Sequence, residues 1–134
     1  MSMKKVDRTG SLPGPKAVVL SGFNDNDTTA IKHLFGEEQK AVAFVSLTRP
    51  MLERTLLEVL SNKPDSLTPL NEKEVPQVII LSGVSMELVH QILDNLRNSQ
   101  IKRPIIATTT EHNLSFTLKE LLSHLLEEMK EFSK

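Results

Sequence analysis

Apolar residues in this chain fall into two patterns. Four runs are continuously apolar and rich in β-branched side chains: Ala17–Leu20 (AVVL), residues 41–47 (AVAFVSL), 77–81 (QVIIL) and 104–108 (PIIAT). Runs of this kind predict strands buried on both faces. Between them, apolar residues recur at helical spacing. Ile31, Leu34 and Phe35 form one face, and Leu88, Val89, Ile92, Leu93 and Leu96 another. The last stripe runs Leu118, Leu121, Leu122, Leu125, Leu126 and Met129.

Polar residues at the joins sharpen these elements. Asn24 or Asp25 and Ser85 stand where N-caps belong. Thr117-Leu118-Lys119-Glu120 has the form of a capping box, and Phe116 and Leu121 are placed for a hydrophobic staple. Thr55 and Glu58 repeat that box earlier in the chain, but Pro50 also suits a first helical turn, so the second helix has two candidate starts, at 49–51 and at Thr55. Residues 63–75, KPDSLTPLNEKEV, read as a linker from their prolines and mixed charge.

The chain nearly repeats itself. VVLSGF at 18–23 returns as IILSGV at 79–84, and the same offset brings Pro15 onto Pro76, Ile31 onto Ile92, Gln39 onto Gln100 and Thr48 onto Thr109. With one residue inserted, Leu52, Thr55, Leu56, Glu58, Leu60 and Ser61 meet Leu114, Thr117, Leu118, Glu120, Leu122 and Ser123. The expected organisation is a flexible leader over 1–14 and a single α/β domain over 15–134. That domain is two β-α-β-α repeats, 15–62 and 76–131, joined by the linker 63–75. Two such units predict a four-stranded, mostly parallel sheet in the order 2-1-3-4, with helices packed on it and right-handed crossovers. The first strands of the two units become central neighbours. In such a parallel sheet both Ser-Gly turns open on one crevice at the switch point, where open α/β sheets bind ligands. The alternatives are one site per half, or none.

That crevice defines the candidate site. Ser21, Gly22 and Asn24 would face Ser82, Gly83 and Ser85. Glycine allows close backbone approach, and two helix N-termini would favour an anion. The competing structural reading is that each glycine makes a tight turn and each polar side chain only caps. Neither G-x-G-x-x-G nor G-x-x-x-x-G-K-[ST] occurs. The loop after the fourth strand adds Thr110, His112 and Asn113, with Glu111 beside the histidine; acid–base work and plain helix-entry hydrogen bonding are the two readings. His33, His90 and His124 are dispersed, so no metal site is expected, and no cofactor.

Composition narrows the field. With 134 residues the chain is long enough to bury roughly two thirds of its unfolded surface. Net charge is −1 and the pI about 6.4, which steers it toward neither nucleic acid nor an anionic membrane. Tryptophan and tyrosine are absent, which removes the usual stacking platforms for single strands. There is no cysteine, so disulfides and thiol chemistry drop out, and a cytoplasmic location is expected. No apolar run is long enough to span a membrane, and the basic, Gly/Pro-rich start is no signal peptide. A receiver domain needs acidic residues at the end of its first strand and an aspartate at its third, where this chain reads Ser-Gly. A serine hydrolase would need G-x-S-x-G.

Residues 75–129 resemble a bacterial family catalogued as domain of unknown function 3783. The shared features are a hydrophobic strand ending in Ser-Gly, a helix, a Pro-led strand from Pro104, then T-x-x-N (Thr110, Asn113) and T-L-K-E-L-L (Thr117–Leu122). Where the family often has tryptophan before the T-L, this chain has Phe116. The resemblance implies a small soluble bacterial α/β domain and supplies no activity. The expected function is a non-catalytic regulatory or binding module for a protein partner or small ligand. The alternative is an anion- or nucleotide-binding pocket with weak enzymatic activity from His112 and Glu111. A homodimer through edge strand 2 or 4 is a third expectation.

Overall fold

The computed structural model describes residues 10–62, 67–101 and 104–132. β1 (Ala17–Ser21), α1 (Asp25–His33), β2 (Ala43–Ser46) and α2 (Leu56–Ser61) form the first half. β3 (Val78–Ser82), α3 (Met86–Arg97), β4 (Ile105–Thr108) and α4 (Leu118–Phe132) form the second. One sheet carries all four strands in the order β2-β1-β3-β4, as the pattern predicted.

The central strands are buried throughout, on both faces. Because side chains alternate across a strand, each contributes to two cores. Val18, Leu20, Ile79 and Leu81 pack with Ile31, Phe35, Leu88 and Ile92 of the α1/α3 layer. Val19, Val78 and Ile80 pack with Leu56, Val59, Leu118 and Leu121 of the α2/α4 layer. The fold is therefore a three-layer α/β/α sandwich.

β1–β2 and β3–β4 are parallel, but the central pair β1–β3 is antiparallel. This corrects the expectation of parallel central strands. The physical reason is the helix layers. α1 and α3 lie on the same face, so the two halves are related by an axis running through the sheet, which reverses strand direction. The register shows the axis directly: Ala17 pairs with Ser82, Val19 with Ile80 and Ser21 with Val78. The linker permits this, since Leu70 N–H bonds Leu47 C=O beyond the end of β2, and the chain enters β3 from there.

Both start signals for the second helix are used. Residues 49–53 form a 3-10 turn with Pro50 in its first turn, and α2 then begins anew behind the Thr55 cap. The strand registers also place the one inserted residue before β4: Leu47 N–H bonds Leu20 C=O, and Thr109 N–H bonds Leu81 C=O. Leu47 thus corresponds to Thr109, and Thr48 to Thr110.

Candidate functional site

Antiparallel pairing at the centre sends the two Ser-Gly turns to opposite ends of the sheet. The single crevice expected of them does not form. Ser21, Gly22 and Asn24 lie at one end, where β1 and β2 finish. Ser82, Gly83, Ser85, Thr110, His112 and Asn113 lie at the other, where β3 and β4 finish.

Each Ser-Gly ties its strand to the start of the neighbouring one. Ser21 and Ser82 are fully buried. Ser21 Oγ donates to Pro76 C=O at 2.7 Å, and Ser82 Oγ to Pro15 C=O at 2.6 Å. The glycine after each serine has positive φ, +80° at Gly22 and +69° at Gly83. A Cβ on Gly22 would lie 2.9 Å from Pro76 O, and one on Gly83 2.6 Å from Pro15 O. The space beside each glycine is filled by protein backbone. Asn24 and Ser85 cap α1 and α3, accepting from Asp27 N–H at 2.7 Å and Leu88 N–H at 3.1 Å.

The loop after β4 is similarly engaged. Thr110 N–H donates to Asn113 Oδ1 at 2.8 Å, Asn113 N–H returns to Thr110 Oγ1 at 3.0 Å, and Asn113 Nδ2 donates to Thr108 C=O at 3.1 Å. T-x-x-N thus closes its own turn and covers a carbonyl of the edge strand β4. Buried Thr109 donates to Pro13 C=O at 2.6 Å. Exposed His112 and His124 each stand roughly T-shaped to the Phe116 ring, with ring centroids 4.9 Å and 5.2 Å from it. No hydrogen bond or ion pair joins Glu111 to His112. Beyond them, the Thr117 N–H and then its hydroxyl hold the Glu120 carboxyl below the usual range, and the nearby charge of His124 adds to this. Among the described residues, no cluster of three or more metal-ligating groups occurs.

A concavity lies at the other end of the sheet. A cleft of ≈ 580 Å³ lies between the start of α1, the segments entering β3 and β4, and the far end of α4. Phe23, Ile101, Ile105, Leu126 and Met129 form its apolar lining, with Asp27, Glu72, Gln77 and Gln100 as polar groups. α4 makes this cleft by outrunning its counterpart: it has 15 residues against 6 in α2. Leu126 and Met129, large apolar side chains on the extra turns, are 40% and 47% exposed. Sequence reasoning found the stripe that carries them but missed the cleft. The available signal was the continuation of the stripe past Leu122, where the first half stops at Leu60.

Residues 77–132 match the family model described as domain of unknown function DUF3783. Among the curated proteins and the solved structures, none matches the chain.

Proposed function

We propose that this protein is a non-catalytic binding module that docks a protein partner at the cleft beside the end of α4. The observation that carries the reading is the exposed pair Leu126 and Met129 on the wall of the ≈ 580 Å³ cleft. Adjacent exposed apolar side chains rimmed by polar groups are the usual mark of an interaction surface. The reading extends to a bacterial, cytoplasmic regulatory or assembly role, and to an origin of the two halves as copies of one unit. In support of that origin stand the shared element order, the two-fold register and the paired Ser-Gly ties. An anion pocket has less support. It relied on two helix N-termini converging on one crevice, and they lie at opposite ends.

The test is a purified partner complex, obtained by cross-linked capture and then reconstituted. Leu126→Lys and Met129→Lys should each weaken partner binding by about tenfold or more, as loss of a buried apolar anchor does, and shift stability by no more than about 0.5 kcal/mol. Unchanged affinity in the double variant would remove the cleft from the reading.

A further inference from the structure

The two ends of the sheet differ in how the segment entering the helix is covered. At the β3 end, residues 10–12 lie antiparallel to the segment entering α3. Leu12 N–H donates to Val84 C=O at 2.9 Å, and Met86 N–H to Gly10 C=O at 2.8 Å, framing a bridge between Ser11 and Ser85. Leu12 is half-buried against the α1/α3 core. This strap is a short extended peptide held by two backbone hydrogen bonds and one apolar side chain.

At the β1 end, the two-fold equivalents of Val84 C=O and Met86 N–H are Phe23 C=O and Asp25 N–H. Neither has a hydrogen-bond partner among the described residues. The residues that would form the matching strap, 71–73, fold into a turn with Glu74 instead. Asn71 C=O accepts from Glu74 and Val75, and Asn71 Oδ1 accepts from Lys73 N–H at 2.9 Å. Leu70 and Val75, flanking this turn, pack into the α2/α4 core, on the opposite side of the sheet from Leu12. No described residue takes the position of a strap, and the ≈ 580 Å³ cleft lies beside it, lined by Phe23 and Asp27.

We propose that this cleft takes an extended peptide segment of the partner protein, paired antiparallel to Phe23–Asp25 as residues 10–12 pair with Val84–Met86. The inference rests on the reading of the cleft as a partner site, and specifies its mode. Main-chain hydrogen bonds provide attachment, and side-chain contacts provide selection. One apolar side chain packs against Phe23 and Ile101.

The probe is the heptapeptide Gly-Ser-Leu-Pro-Gly-Pro-Lys, the chain's own strap sequence, titrated into the isotope-labelled full chain and followed by amide resonances. Saturable shifts at Asn24, Asp25 and Ile101 are expected. Asp25→Pro removes the N–H donor at a position where proline suits a helix, behind an Asn24 that is already extended (φ −82°, ψ 178°). It should weaken the peptide by about tenfold, and a peptide with aspartate in place of leucine should bind no better. Ile101→Glu, in the cleft wall, is the second variant should Asp25→Pro not fold. Absence of shifts up to the solubility of the peptide, shifts confined to Val84–Met86, or full affinity in the variants would overturn the proposal. If the partner depends on Leu126 and Met129 while the peptide leaves Asn24 and Asp25 unmoved, the strand mode fails and the cleft stands. If the peptide binds there while Leu126→Lys and Met129→Lys leave the partner unaffected, the partner reading fails by itself.

Discussion

Thr55 and Thr117 face each other in an antiparallel bridge on the α2/α4 side of the sheet. Leu56 N–H donates to Phe116 C=O at 2.8 Å, and Leu118 N–H to Arg54 C=O at 3.0 Å. Each threonine also caps its own helix, Thr55 with Glu58 and Thr117 with Glu120. The two caps and the bridge form one unit at the junction of the halves. Thr55→Ala and Thr117→Ala should each cost about 1 kcal/mol in chemical denaturation. Their effects should depart from additivity, since the two residues share one contact.

Glu120 makes part of this unit pH-sensitive. Its carboxyl is held below its ordinary value of 4.5 by the Thr117 hydrogen bonds first, and then by His124. A carboxyl lowered in the folded state contributes stability that is present above its unfolded value and is lost as pH falls through its folded value. Denaturation midpoints at about pH 6 and about pH 3 should therefore differ less in Glu120→Gln than in the native chain. An identical acid dependence would show that the cap does not stabilise the carboxylate.

The Ser-Gly turns should behave as structural ties at both ends. Ser21→Ala and Ser82→Ala each leave a proline carbonyl without its donor, at a cost of about 1–3 kcal/mol. Gly83→Ala should cost more than Gly36→Ala. Both glycines have positive φ, but a Cβ on Gly83 meets backbone at 2.6 Å, while one on Gly36 meets nothing within 4 Å. Gly36→Ala should cost about 1–2 kcal/mol, the conformational penalty alone. Thermal or urea unfolding of the four variants checks the order.

Asn113→Ala removes the two side-chain hydrogen bonds of Asn113 in the loop after β4, the one its Oδ1 accepts from Thr110 N–H and the one its Nδ2 donates to Thr108 C=O. The Thr110 amide should lose its protection from hydrogen exchange, and the edge carbonyl of Thr108 should become free. Unaltered exchange at Thr110 would mean that the turn does not depend on Asn113.

Much of this architecture is legible in local pattern. Apolar β-branched runs mark the strands, because a strand buried on both faces tolerates little else. Thr55/Glu58 and Thr117/Glu120 mark helix starts, because a helix N-terminus needs acceptors within a few residues. The candidate site was less legible. The sequence presents Ser82 as a candidate ligand contact, but its hydroxyl donates to the carbonyl of Pro15, a residue distant in sequence. The cleft joins Phe23, Ile101 and Met129, which no local motif connects.

The sequence alone determined the elements, their caps and the strand order, since each depends on residues a few positions apart or on the need to bury both faces of β1 and β3. Tertiary structure decided the direction of the central pair. Val18–Leu20 and Ile79–Leu81 are equally apolar in either direction, and backbone hydrogen bonding satisfies parallel and antiparallel neighbours alike. Placing α1 and α3 on one face settled it, which parted the two Ser-Gly turns and left the open cleft where the longer α4 runs past the sheet.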